Sequence, residues 1–98
     1  MIKHIVMWSL KSTGEQKIAD GQRLKQLLES LNGKIPGMLR LEVGVNFYPE
    51  EDATDLVLYS EFESRQALDS YMINPAHTAI QPLIKTLRNE RRIIDYEV

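Results

Sequence analysis

The sequence predicts an α+β fold in which a single antiparallel sheet carries two helices on one face. Stretches with a two-residue apolar period open the chain, occupy its middle and close it, and stretches with a helical period separate them. The 98 residues fit one domain, residues 1–98, and the composition is ordinary for a globular protein, with 43% hydrophobic and 27% charged residues.

The first strand is predicted over residues 2–10, where apolar residues occur at both alternating sets of positions. Ile5 and Met7 share one face with the polar residues Lys3 and Ser9. The other face is almost wholly apolar and includes a histidine: Ile2, His4, Val6, Trp8 and Leu10.

The first helix is predicted to begin at Ser12 or Thr13, because each has a glutamate or glutamine three residues later, at capping-box spacing. Asn32-Gly33 is predicted to end it, because both residues tolerate the left-handed conformation. The apolar stripe between these ends consists of Ile18, Leu24, Leu27, Leu28 and Leu31.

Two strands are predicted in the middle of the chain, after the turn Ile35-Pro36-Gly37. The third strand runs from about residue 55 to 62, after a polar loop at 48–54 that is too long for a tight hairpin. Gly44 in the second strand indicates a bulge or a close backbone approach. The second strand has an unbroken apolar face: Leu39, Leu41, Val43, Val45 and Phe47.

The last third of the chain predicts a second helix capped by Ser64, a further helical segment and a final strand at about 91–98. Asn74-Pro75 ends the second helix, because a residue before proline avoids the helical conformation. Pro82 lies inside the next segment, so that helix either restarts there or is kinked. The order is therefore β-α-β-β-α-β, which is the ferredoxin-like sandwich.

Apolar residues on the second face of the sheet predict a homodimer. Helices cover only one side of such a sheet, so Ile5, Met7 and Val57 would leave an apolar patch of several hundred Å² on the other. A second copy that packs sheet to sheet around a two-fold axis would cover this open sheet face. The alternative is a scatter of single apolar surface residues, which is normal.

Composition argues against several classes of function. The net charge of −2 argues against nucleic-acid binding, and the absence of cysteine excludes disulfides and thiolate catalysis. No ligand pair has zinc-site spacing and there is no glycine-rich nucleotide loop, so neither a metal nor a cofactor is predicted. No stretch approaches the 18-residue length of a membrane span, so we predict no membrane contact and a cytoplasmic location.

Six segments, in this order, resemble the stress-response A/B barrel (Dabb) domain family over nearly the whole chain. The resemblance implies a homodimeric α+β barrel in which two sheets pack face to face. Most members of that family have no assigned reaction; some plant members are stable, stress-induced oligomers, and one branch contains a polyketide cyclase. The segments are Met1-Ile2-Lys3-His4-Ile5-Val6, Ile35-Pro36-Gly37, Val43-Gly44-Val45-Asn46, residues 55–62, Tyr71 with Asn74-Pro75-Ala76-His77, and Ile94-Asp95-Tyr96.

The resemblance to that cyclase also implies a set of pocket residues. A strand-one histidine, a helix tyrosine and the histidine of a Pro-Ala-His segment line its pocket, and the matching positions here are His4, Tyr71 and His77. The cyclase has two further polar residues, on helix one and strand three, where this chain has Leu28 and Leu56. The pocket implied here is therefore more apolar and has fewer hydrogen-bond donors.

The residues themselves leave two roles open for each of these positions. His77 at a helix start is either a catalytic base or a structural cap, and His4 is either a pocket residue or a hydrogen-bonded core residue. Tyr71 packs in the core unless it reaches His77, and Trp8 either walls a pocket or packs against helix one. We expect a cavity between helices and sheet, suited to a small aromatic ligand and lined by His4, Trp8, Leu28, Leu56, Tyr71 and His77.

Two functions follow, and the sequence does not decide whether the protein is an enzyme. The first is a stress-responsive homodimer that binds a small apolar or aromatic molecule, with no established reaction. The second is a cofactor-independent acid–base enzyme that acts through His77, His4 and Tyr71 on an aromatic or polyketide-like compound. Leu28 and Leu56 favour the first.

Overall fold

The computed structural model describes residues 1–98 and has the predicted order of elements. The strands are β1 (Ile2–Leu10), β2 (Met38–Val45), β3 (Leu56–Phe62) and β4 (Arg88–Glu97). The helices are α1 (Gly14–Glu29), α2 (Arg65–Ile73), α3 (Pro75–Thr78) and α4 (Gln81–Leu87). The strands pair antiparallel in the order β2-β3-β1-β4, which confirms the ferredoxin-like α+β fold.

The alternation predicted for β1 separates the two faces of the sheet. We call the face that packs against the helices the covered face, and the opposite one the open face. The core lies between the covered face and the helices, and all five predicted residues of β1 are buried in it: Ile2, His4, Val6, Trp8 and Leu10. On the open face Ile5 is half-buried and Met7 is 42% exposed.

A β-bulge at the start of β2 changes the predicted apolar face. Met38 pairs with Phe62 and Arg40 pairs with Glu61, which is adjacent to Phe62 in β3. Leu39 therefore has no partner of its own and is an extra residue in β2. Leu39 is therefore 54% exposed, and Met38 packs against the core in its place. The prediction that Leu39 faces the core is wrong for this reason.

The apolar face of β2 is also shorter than predicted at its other end. Phe47 lies beyond the strand and is 92% exposed, so the fully buried part consists of Leu41 and Val43. Gly44 keeps the regular pairing with Val57, so there is no bulge there. A Cβ on Gly44 would lie 3.0 Å from the Val57 side chain, which is the close approach that the sequence left open.

The start of α1 differs from the predicted capping boxes. Thr13 is the N-cap residue, but its side chain makes no capping hydrogen bond. Ser12 Oγ and Gln16 Nε2 instead donate to the carboxylate of Asp20 at 2.7 and 2.8 Å, and these bonds hold the pKa of Asp20 below its ordinary value. These side chains therefore donate to a charged acceptor, which makes strong hydrogen bonds, and do not form the capping boxes in which their oxygens would accept from the N–H groups of the helix end. Ile18, predicted on the apolar stripe, is 66% exposed.

Side-chain caps divide the helical region that follows β3. Ser64 accepts a hydrogen bond from the backbone N–H of Ala67 at 3.1 Å, so the predicted cap of α2 is confirmed. Asn74 ends α2 and begins α3 by accepting from the N–H of Ala76 at 2.9 Å. Since Pro82 lies in the first turn of a separate α4, the helix restarts there and is not kinked. None of the helices has the length and apolar character that a bilayer crossing requires.

Candidate functional site

A cavity of about 260 Å³ lies between the covered face and the helices. Both strands and helices contribute to it, and α1 provides only Leu28. Five of the six side chains predicted to line a cavity are brought together here. The complete lining is His4, Val6, Trp8, Leu28, Leu58, Tyr71, Met72, His77, Gln81, Ile84 and Arg91.

Leu56 is the predicted residue that does not line this cavity. It lies on the covered face, but it pairs with Trp8 near the end of β1 and packs beneath Gly21 of α1. Leu58, two residues further along β3 and paired with Val6, occupies the cavity wall. The strand alternation identifies the correct face, whereas the position along the strand depends on where α1 crosses the sheet.

His4 is held in the cavity wall by Asp95, its direct partner on β4. His4 is 2% exposed, and its Nδ1 lies 2.5 Å from the Asp95 carboxylate, whose own side chain is 40% exposed. Since a carboxylate accepts, Nδ1 carries the proton, and Nε2 has no hydrogen-bond partner in the protein. The pair fixes the orientation of the ring and leaves Nε2 for another group.

His77 lines the cavity from α3 and is a neutral imidazole with a defined tautomer. Its Nδ1 is 3.4 Å from the Met72 carbonyl, which can only accept, and its Nε2 is 2.7 Å from Nε2 of Gln81. Nδ1 is therefore protonated, and the Nε2 lone pair accepts from the Gln81 amide. Burial lowers the pKa of His77, and the nearby His4 and Arg91 lower it further, whereas the bond to Met72 opposes the shift.

Tyr71 lies between the two histidines. Its ring centroid is 6.1 Å from that of His4 and 4.2 Å from that of His77. Tyr71 is 1% exposed, and burial raises its pKa to about 12, so its hydroxyl is neutral and can donate. That hydroxyl has no hydrogen-bond partner in the protein.

Trp8 and Arg91 line the cavity from neighbouring strands, since they are paired in the β1–β4 register. Trp8 is buried and its Nε1 has no hydrogen-bond partner. Three polar residues of this site, Asp95, Gln81 and Arg91, do not follow from the sequence pattern. Only the β1–β4 register, which the sequence does not fix, brings Asp95 to His4.

The fold and this site define an α+β protein with a cavity between its sheet and its helices, and comparison with known proteins gives its family. The chain belongs to the stress responsive A/B barrel domain (Dabb) family, whose sequence model matches residues 2–98. No protein with curated annotation matches the chain.

Solved structures share the fold over nearly the whole chain. A dimeric protein of unknown function with a ferredoxin-like fold from Bacteroides fragilis is 30% identical, covers 99% of this chain and 95% of its own, and has a TM-score of 0.88. A dimeric ferredoxin-like protein of unknown function from Thermobifida fusca is 15% identical, with 99% and 90% coverage and a TM-score of 0.82. The hydroxynitrile lyase from Passiflora edulis is 17% identical, with 99% and 92% coverage and a TM-score of 0.78. These comparisons establish no specific reaction for the chain.

Proposed function

We propose that this protein is a homodimer in which each chain binds one small, largely apolar or aromatic molecule in the cavity. One observation carries the proposal. Three polar atoms on buried side chains of the cavity wall have no hydrogen-bond partner in the protein: Nε2 of His4, the hydroxyl of Tyr71 and Nε1 of Trp8. Nε1 of Trp8 is also fully buried, and a buried polar group without a partner costs about 1–3 kcal/mol, so a ligand that supplies its partner is favoured. Nε2 of His4 and the hydroxyl of Tyr71 offer two further positions for hydrogen bonds to the same ligand.

The walls between these polar atoms suit an aromatic molecule. Val6, Leu28, Leu58 and Ile84 present apolar side chains to the cavity. Apolar walls with a few convergent polar groups are typical of small-molecule sites. The polar atoms would orient the ligand, and the apolar walls would supply most of the binding free energy.

Binding is tested by titrating small aromatic compounds into the ¹⁵N-labelled protein and recording amide shifts. We expect shifts around His4, Tyr71 and His77. Tyr71→Phe removes only the hydroxyl, so the dissociation constant should rise about 3- to 10-fold, as for the loss of one hydrogen bond. Tyr48→Phe, at a residue that is 64% exposed and outside the cavity, is the matched control and should leave the dissociation constant unchanged. Equal effects of the two variants would contradict the proposal.

The open face supports the homodimer. It carries apolar side chains on three neighbouring strands, and Met7 and Ile94 are 42% and 57% exposed. Similar structures from Bacteroides fragilis and Thermobifida fusca are described as dimeric. A second copy packed on this face would bury these side chains and complete the barrel.

Acid–base catalysis is the second candidate function, and the two imidazoles favour it. His4 is oriented by a carboxylate, and His77 is neutral with its lone pair on Nε2. Either Nε2 could remove a proton from a carbon next to a carbonyl, while the Tyr71 hydroxyl donates to the developing enolate oxygen. Gln81 must move before His77 can act, because its amide occupies Nε2.

This reaction is tested by following deuterium exchange at the acidic carbon of an aromatic ketone by NMR. The wild-type protein should accelerate exchange, and His77→Gln and His4→Gln should each remove most of the acceleration, typically 10²-fold or more for a general base. Gln26→Ala, on the exposed surface of α1, is the control. Binding without acceleration would leave the non-catalytic function as the answer.

Two further predictions from the sequence belong to this proposal. The chain is one domain over residues 1–98, and it acts in the cytoplasm without a metal or cofactor. Limited proteolysis that releases a stable internal fragment would contradict the single domain. Fractionation of cells that express the tagged chain tests the cytoplasmic location.

A further inference from the structure

One end of the cavity offers N–H donors for which the protein supplies no acceptor. Trp8 and Arg91 face each other across β1 and β4 at this end. Nε1 of Trp8 is buried and unpartnered. The guanidinium of Arg91, an exposed residue of β4, forms no hydrogen bond and no salt bridge within the protein, whereas Arg92, the next residue on the strand, is paired with Glu90.

The cavity wall also has a positive charge that no carboxylate of the wall balances. No Asp or Glu lines it, and the nearest carboxylate on this face of β4, Asp95, is already bound to His4. Arg91 is the one lining residue with a permanent charge. A cavity with a cation and no anion in its wall favours an anionic ligand.

We infer that the ligand is an aromatic or similarly apolar carboxylate whose anionic group binds the guanidinium of Arg91, with Nε1 of Trp8 as a further donor. The inference rests on the proposed binding function and adds the charge and the orientation of the ligand. The planar guanidinium presents parallel N–H groups that match the two oxygens of a carboxylate. The apolar body would then contact walls such as Leu28 and Leu58.

The cavity volume is consistent with a ligand of this size. A cavity of about 150 Å³ is enough for benzene. The volume of about 260 Å³ found here holds one aromatic ring with a short side chain that ends in a carboxylate.

Three probes of the same shape and different charge test the inference: 3-phenylpropanoate, 3-phenylpropanamide and 3-phenylpropylamine. Trp8 is the single tryptophan of the chain, so its fluorescence reports binding directly at the site. We expect the carboxylate to bind at least about 10-fold more tightly than the amide, and the amine to bind most weakly.

Variants assign the preference to its residues. Arg91→Gln should abolish the preference for carboxylate over amide and change the affinity for the amide less than about 2-fold, and Arg91→Lys should restore part of the preference. Arg23→Gln, at an exposed position of α1 outside the cavity, removes the same charge and should leave the preference intact. Trp8→Phe, followed by NMR, should weaken carboxylate binding more than amide binding.

Three other outcomes would contradict the inference, the role of Arg91 or the proposed binding function. If the amide binds as tightly as the carboxylate, the inference is overturned and the proposed binding function stands. If the preference persists in Arg91→Gln while the variant keeps the wild-type circular dichroism spectrum, Arg91 is not the anion site. If none of the three probes binds at millimolar concentration, both the inference and the proposed binding function are overturned.

Discussion

The two faces of the sheet use the same strands in opposite ways. On the covered face, polar side chains are buried: His4 is 2% exposed, and Ser60, which donates to the His4 carbonyl, is fully buried. On the open face, apolar side chains such as Met7 and Ile94 are substantially exposed. In most proteins polar side chains are exposed and large apolar patches are buried, so a buried polar group and an exposed apolar patch each call for an explanation. Here they favour two kinds of partner, a small molecule inside the fold and a second chain outside it.

The largest expected effect is on the open face. Met7→Asp places a carboxylate in the proposed interface. Burying it without a partner costs several kcal/mol, which is about the free energy that holds a small dimer interface together. Light scattering should therefore change from twice the chain mass of 11.3 kDa to one chain mass. Ile18→Asp is the matched control, because Ile18 is 66% exposed on α1 and its change should leave the dimer intact. A folded Met7→Asp dimer would show that the interface lies elsewhere.

The next effect concerns the contact between α2 and the turn that precedes β2. Gly37 has φ +78°, and a Cβ there would lie 2.6 Å from the Cβ of Ala67 on α2, so Gly37→Ala combines backbone strain with a steric clash. We expect the free energy of unfolding, measured with urea, to fall by about 2–4 kcal/mol.

Gly33→Ala separates the two contributions. Gly33 has φ +79° with nothing within 4 Å of its Cβ position, so only the strain of about 1–2 kcal/mol should remain. Equal losses in the two variants would mean that the α2 contact at Gly37 contributes nothing.

A smaller effect tests the polar pair of the covered face. Asp95→Ala removes the acceptor of a buried imidazole N–H, and the free energy of unfolding should fall by about 1–2 kcal/mol. Glu97→Ala is the comparison on the same face of β4, because its bond to Arg65 is exposed to solvent and should be worth less than about 1 kcal/mol. If the Glu97 variant loses as much as the Asp95 variant, the His4–Asp95 bond does not hold the covered face together.

The smallest effect is a pH dependence that arises from His77. Its pKa in the folded chain is lowered from the ordinary 6.5, mainly by burial, so the unfolded chain takes up the proton more readily. The contribution of neutral His77 to stability is therefore complete above the unfolded pKa and is lost as the pH falls through the folded pKa. Urea unfolding between about pH 7.5 and 5 should show a smaller loss of stability in His77→Gln than in the wild type. Identical pH profiles would contradict this.

The sequence predicts the two faces of β1 well and the details of the site only in part. Alternation needs no knowledge of the neighbouring strands, so the burial of His4 and Trp8 follows from β1 alone. The bulge that turns Leu39 outward is a property of the pair β2–β3 and leaves no mark in the alternation of β2 itself. Ile18 is predicted on the buried stripe of α1, but the buried residues Asp20, Leu24 and Leu28 follow one another at four-residue spacing, and Ile18 lies off that line and is exposed.

The site depends on contacts between residues that are distant in the sequence. His4 and Asp95 are 91 positions apart, and only the strand register aligns them. Arg91 lies in a run of basic residues that indicates a solvated segment, and only its pairing opposite Trp8 places it at the cavity. Such placements follow from the register, which the local pattern does not contain.

The helices that cover the cavity also bear on how fast a molecule enters and leaves it. α2, α3 and α4 have nine, four and seven residues, and isolated helices shorter than about 12 residues are marginal in water. They persist only because they pack on the sheet, unlike α1 with its 16 residues. Segments of this kind open locally at a lower free energy than the whole chain, so amide exchange should be faster there than in β1 or β3. Opening of these three helices would then contribute to the rate at which a molecule leaves the cavity, together with the strength of its contacts with the walls.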